Sequence, residues 1–419
     1  MLALHRPSRR TADPDRNPGH RFRPRLEGLE GRTTPTVFTV TTTANSGPGS
    51  LRQAITDSNA TPGTDAIAFN IPGAGMQVIN VGLNPLPTVT DPVNLDATTQ
   101  PGYAGTPLID VNDPTFTIGM GLVVSANLCT VRGLALTGFT QYGLEILGGS
   151  GSTVAGCLFE GNTAGGVALT GGASGNAIGG ATPAAADVAS GNGSWGVVLF
   201  GPGVTGNVVQ GDFLGTDATG NAALANGFGG AVAAAGAAGN FFYSNVMSGN
   251  SVYGLVLSDP GTTGDTVAGN LIGVGKTGAA LGNGFGGVGF GNGASNNTLG
   301  GAVPGAANVI SSNGYEGVYV GGAGTTGNVL QDNLIGVGTD GAAERHNGAY
   351  GVAVQDGAGA TGLGGNVVGY NPQGEVVLDN SAGNNLVSNR VGVTASEGSA
   401  GGNGPGIWLR DGSARNYIA

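Results

Sequence analysis

Lysine is almost missing from this sequence: Lys276 is the single one in 419 residues. Charged residues of all kinds make up 10% of the chain and aromatics 6%. So few long charged side chains, and so few helix formers, exclude a helical bundle. There are two cysteines, Cys129 and Cys157, too few for a disulfide framework. Of three histidines, His5 and His20 fall near the start and only His346 lies in the body. No His/Cys metal cluster, Ser-His-Asp order or H-E-x-x-H motif can be assembled from them. No apolar run is long enough for a transmembrane helix. What the chain does have is 86 glycines and 39% hydrophobic residues, many of them Val. That is too apolar for polar disorder, and the glycines lack the strict period of collagen. A large all-β protein with many turns remains.

Charge is uneven along the chain. Eight of the 15 basic residues precede Thr33, beside four acidic ones, which leaves 7 basic and 22 acidic residues and a net charge of −15. Such a body repels nucleic acid and anionic membrane, because neutralising phosphates needs clustered Lys and Arg. Residues 1–35 are rich in Arg and Pro without an apolar face, which predicts disorder.

Internal repeats set the architecture. Ser-Thr-Val-Ala-Gly-Cys-Leu-Phe (152–159) returns as Asn-Val-Val-Gln-Gly-Asp-Phe-Leu (207–214) and Asp-Thr-Val-Ala-Gly-Asn-Leu-Ile (265–272). Two more copies stand at 328–335 and 384–391, at steps of 55 to 63 residues. A second motif begins at Asp187, Asn245, Asn308 and Glu375, and a third at Gly196, Gly254 and Gly317. Each step therefore holds three strand-turn units of roughly twenty residues, the signature of a solenoid. Such units suit a parallel β-helix in which each coil buries its inward residues against the next. The copies predict that Val154, Val209, Val267, Leu330 and Leu386 all face the core. Asn270, Asn333 and Asn389, with Asp212 as a variant, predict a stacked side-chain ladder at one corner. Residues 105–419 then give roughly fifteen coils, or about 70 Å at about 4.8 Å per coil.

Residues 36–104 read differently, as an N-terminal cap and the first coils. Ser50-Leu-Arg-Gln53 is a capping box opening a short helix, with strands near Val37 and Ile67. Gly49-Ser-Leu-Arg-Gln-Ala-Ile55, Thr98-Thr-Gln-Pro-Gly-Tyr103 and the repeated coils resemble bacterial secreted or surface proteins with a CSLREA-type motif and right-handed β-helix repeats. Gly49 stands where that family has Cys. Leu26-Glu-Gly-Leu-Glu-Gly-Arg-Thr-Thr-Pro35 is similar to the export-associated motif of planctomycete secreted proteins. The resemblance implies an all-β, single-stranded right-handed parallel β-helix of the pectate-lyase-like kind. It also implies a secreted or cell-surface location.

Candidate chemistry is sparse. Gly201–Gly206 and Gly322–Gly327 match the dinucleotide fingerprint G-x-G-x-x-G, but strand-turn units follow them where the fingerprint needs a helix. They read as solenoid corners. Asp217 and Asn221 offer closely spaced oxygen ligands for Ca²⁺, the alternative being an Asx-turn. No other cofactor is expected. Asp340, Glu344, Arg345 and His346 form the densest titratable group of the body, in a loop whose sister at 277–283 is small and apolar. β-Helix lyases and hydrolases use such groups in pairs, so these four are the catalytic candidates; a solvated charged turn is the alternative. Candidate sugar-stacking aromatics, Trp195, Tyr253, Tyr315 and Trp408, are spread over more than two hundred residues. The expected function is structural or adhesive, with polysaccharide or cell-envelope components as partners and neither nucleic acid nor a transmembrane segment involved. A carbohydrate-active enzyme on the same fold (polysaccharide lyase, glycoside hydrolase or epimerase) is the alternative.

Overall fold

Three sheets of 14, 12 and 11 strands run the length of the described chain, and neighbouring strands pair in parallel. The computed structural model describes residues 35–402 and 404–419, so the disorder expected of the basic head lies outside the described residues. From the fourth strand onward each sheet takes every third strand of the chain. The chain thus visits the first, second and third sheet in turn and pairs with itself one coil later, which is a parallel β-helix. One such coil holds Thr266–Ala268, Leu271–Ile272 and Val288–Gly291.

The five residues predicted to face the core do so, none more than 2% exposed. All five lie in the first sheet, and between them in register stand Ile178, Phe242, Leu299 and Leu363. The sequence repeat is therefore two coils long, not three strand-turn units. First- and second-sheet strands are only two residues apart, as at Gly269-Asn270, so both fall in one motif copy. The third sheet's eleven strands give about eleven coils, roughly 50 Å at about 4.8 Å each, in place of fifteen. The Glu375 copy of the second motif is also corrected. Asn366-Val-Val-Gly-Tyr-Asn371 fills that place, and Glu375 lies in a third-sheet strand.

Asparagine ladders line all three corners, where one was predicted. Between the first and second sheets, the backbone N–H of Asn245 donates to Asn270 Oδ1 at 2.9 Å, Asn270 to Asn308 at 2.9 Å and Asn308 to Asn333 at 3.3 Å. Each side-chain amide also caps a carbonyl, as Asn270 Nδ2 does for Phe242 at 2.9 Å. The second corner runs from Asn162 through Asn192 and Asn283 to Asn371. The third runs through Asn207, Asn240 and Asp265 to Asn328. Corner backbone groups face inward, away from water, and the ladders supply their partners. Both G-x-G-x-x-G matches lie in the turns from the third sheet to the first, as the repeat implied. Cys129 and Cys157 are buried and free, and burial pushes both thiols up.

The expected helix is Leu51–Ala60, its Leu51, Ala54 and Ile55 buried against strands Val37–Val40 and Asp65–Phe69. Half of the capping box forms: Gln53 N donates to Ser50 Oγ at 3.2 Å, while the Gln53 side chain turns to Asp57 at 2.7 Å. Gly49 has φ +77°, and a Cβ there would strike Thr41 Oγ1, so this position has no room for the Cys of the resembled motif.

Candidate functional site

From Phe213–Leu214 onward every second coil extrudes a short hairpin between the second and third sheets, closed by Thr216–Ala223, Val274–Ala280, Val337–Glu344 and Val393–Ser399 bridges. The hairpins stack. Asn221 Oδ1 accepts from Thr277 N at 3.0 Å and from Thr277 Oγ1 at 2.9 Å, and Gly341 O accepts from Ala395 N at 2.9 Å. Asp217 and Asn221 both lie in the first hairpin. Asp217 Oδ1 accepts from Thr219 Oγ1 and from the N–H groups of Asn221 and Ala222. The little burial it has pushes the carboxyl up, and those three donors outweigh that and hold it below its ordinary range. This is the geometry of an Asx-turn.

Of the four catalytic candidates, the third hairpin brings three together. Glu344, Arg345 and His346 line a depression of about 530 Å³ with Ala280 and Ser312. Glu344 Oε1 lies 3.2 Å from His346 Nδ1, with the side chains 63% and 53% exposed respectively. Asp340 stands apart and caps its own turn, accepting from Ala342 N and Ala343 N at 2.9 Å; these bonds lower its carboxyl. The pair is wet and exposed, and Glu344 is the carboxylate that lines the depression.

The third sheet's outer edge holds a feature that the spread of aromatics along the sequence concealed. Trp195, Phe228, Tyr253, Phe285 and Tyr315 come from five successive coils and form one line of rings. Their successive centroid separations are 4.8, 6.4, 5.4 and 5.1 Å. Phe228, Phe285 and Tyr315 are each about 40% exposed. Trp195 and Tyr253 open their strands, whereas the other three sit in the turn just before theirs. Backbone bonds tie these turns coil to coil, as from Tyr253 N to Phe228 O at 3.0 Å and from Phe285 N to Val252 O at 2.9 Å. Glycine makes room for the rings. Gly229 is in register between Trp195 and Tyr253, and a Cβ there would enter the Trp195 indole. Gly286 leaves the same space for Tyr253.

Three of the four candidate aromatics thus belong to one site, and Trp408 lies five coils away from Tyr253 on the same sheet. A sequence signal exists: Asn-Gly-Phe-Gly-Gly at 226–230 and 283–287, with Asn-Gly-Ser-Trp-Gly at 192–196 and Asn-Gly-Tyr-Glu-Gly at 313–317. Each copy sets a ring two or three residues after a ladder asparagine.

Acidic groups stand beside the rings. Glu316 is 3% exposed and burial pushes its carboxyl up to about 7. Burial raises the Tyr253 phenol to about 12, with the Glu316 charge adding to it. Tyr319 donates its hydroxyl to Asp356 Oδ2 at 3.1 Å. Tyr253, Tyr319 and Asp356 line a hollow of about 370 Å³ next to the middle of the line.

No family model matches the sequence, and no curated protein matches it. Several solved structures resemble it. The A-module of a mannuronan C-5 epimerase of Azotobacter vinelandii is 16% identical, over 88% of this chain and 91% of that one, with a TM-score of 0.42. The catalytic unit of a thermostable α-1,3-glucanase from Streptomyces thermodiastaticus is 13% identical, over 92% and 70%, with a TM-score of 0.47. An alginate lyase from a Paenibacillus species is 14% identical, over 79% and 94%, with a TM-score of 0.35. The likeness is to the coiled, all-parallel architecture already evident in the three sheets.

Proposed function

We propose that this protein is a secreted or cell-surface β-helix that binds polysaccharide along the ring line and does not turn it over, serving adhesion or envelope structure. The observation that carries this reading is the line itself: five rings in mutual contact, partly exposed and one coil apart over roughly 20 Å at about 4.8 Å per coil. Water-facing aromatic surface of that length is costly to leave uncovered. Its flat faces and polar edges suit the apolar faces and hydroxyl rims of pyranose rings. The export-like stretch Leu26–Pro35 supports the location.

The test is retardation of the protein in gels containing neutral or acidic polysaccharides, together with assays for reducing ends and unsaturated sugars. Retardation without product is expected. Trp195→Ala or Tyr315→Ala should each weaken binding by about 0.5–1.5 kcal/mol, the scale of one aromatic contact. Unaltered retardation in both variants would refute the reading.

A second reading, catalysis, is favoured by the Glu344–His346 pair in its depression beside Arg345. Product formation abolished by Arg345→Ala or Asp340→Ala would establish it in place of the first.

A further inference from the structure

The hollow beside Tyr253 is made by missing side chains. Along the outer face of the third sheet, successive coils place Val198, Val232 and Val256 in one register column, and the next coil has Gly289. In the neighbouring column Phe200, Ala234 and Ser258 are followed by Gly291. The face drops to bare backbone at these two glycines. Tyr253 walls one side, and Tyr319 lies across Gly321 on the other, its hydroxyl held by Asp356. Asn292 Nδ2 donates to Ser258 Oγ at 3.1 Å at the rim. The floor is therefore glycine backbone beside Val256, two walls are aromatic, and the polar side chains at the edge are a carboxylate, an amide and hydroxyls. Among the described residues no Lys, Arg or His lines it.

Tyr253 is also the third of the five rings, so the hollow opens sideways from the middle of the line, not at its end. Resting on the glycan-binding reading, we infer that the hollow takes a single uncharged sugar branching from a neutral polysaccharide whose backbone lies on the rings. A hollow of about 370 Å³ has room for one sugar ring but not for the main chain. Asp356 keeps its second oxygen to accept a sugar hydroxyl, a charge-assisted bond of roughly twice ordinary strength. The same carboxylate, with no cation among the described lining residues, repels a uronate.

Gly291 allows a clean test. Its φ is ordinary and an added Cβ would meet nothing within 4 Å, so Gly291→Leu fills the hollow without disturbing the coil. Calorimetric binding would compare cellohexaose, a xyloglucan oligosaccharide of the same backbone with single-sugar branches, and polygalacturonate. The branched probe should bind the wild type about tenfold more tightly than the linear one, a difference of about 1.4 kcal/mol. Gly291→Leu should bring that ratio to about one while leaving cellohexaose affinity unchanged, and Asp356→Asn should lower the ratio several-fold. Equal binding of both neutral probes by the wild type, a preference surviving Gly291→Leu, or tighter binding of polygalacturonate would overturn the branch assignment alone. Failure of all three probes to bind would overturn the glycan reading with it.

Discussion

At the inner corners asparagine recurs on most coils, whereas along the outer edge of the third sheet no two neighbouring coils carry the same pair of residues. Asn245, Asn270, Asn308 and Asn333 are interchangeable rungs, each accepting from the rung before and capping a carbonyl. The outer columns run instead from Trp to Gly to Tyr, and from Val to Gly to Tyr. A solenoid is stable because each coil offers the next the same buried groups, so interior positions tolerate little variation. The outer face is free of that constraint. Departures from the repeat concentrate there, and the ring line and hollow are two of them.

Breaking a rung gives the largest effect. Asn270→Ala leaves Asn245 N–H, Asn245 Nδ2 and the Phe242 carbonyl without their partner inside the corner. Each buried unsatisfied group costs about 1–3 kcal/mol, so a stability loss of about 3 kcal/mol or more in denaturant unfolding is expected. Polysaccharide binding by the folded fraction should not change.

The rungs that depart from asparagine give a smaller effect of opposite sign. Asp187 and Asp212 are adjacent rungs, Asp187 N donating to Asp212 Oδ1 at 2.8 Å. Burial raises Asp187 to about 7 and Asp265 to about 6, and pushes Asp212 well up, with Asp187 adding to it. These carboxyls hold protons in the folded chain that the unfolded chain has released. Their contribution to stability is full below about pH 4 and is lost as pH rises through about 6 to 7. The melting temperature should therefore fall between pH 5 and pH 8. Asp212→Asn gives the rung an amide that reaches Asn245 Oδ1 as its neighbours do, and it removes a buried oxygen that has no partner. It should stabilise the chain by about 1 kcal/mol at pH 8 and flatten the pH dependence. A variant less stable than wild type at pH 8 would contradict this.

The smallest stability effect belongs to the outer face. Phe285→Ala removes a ring that is 39% exposed. It should cost less than about 1 kcal/mol of stability while weakening polysaccharide binding several-fold. The comparison fails if stability falls and binding does not.

Much of the interior was legible in the sequence for the same reason that it is stable: it repeats. Val154, Val209 and Val267 announce their common column by their neighbours. Ala268 and Leu271 belong to different sheets although only Gly269 and Asn270 separate them, so sequence spacing makes the coil too short. Spacing alone cannot show a turn that sharp. The outer site was legible only in fragments. Trp195 and Tyr315 are 120 positions apart in the chain and four coils apart in space, and coil lengths alternate, so no single period connects them. Glu344 and His346 were singled out by being unlike their sister loop, and they do meet. Asp340 in the same loop stays at the surface and caps its own backbone.

The account's central claim is that polysaccharide lies on the ring line. The chain has two tryptophans, so Trp408→Phe leaves Trp195 as the only indole and places the reporter at one end of the line. Titrating this single-tryptophan protein with a polysaccharide that retards it in gels should shift and saturate the Trp195 fluorescence with the same midpoint as binding. Saturated binding with unchanged Trp195 emission would place the polysaccharide elsewhere and contradict the claim.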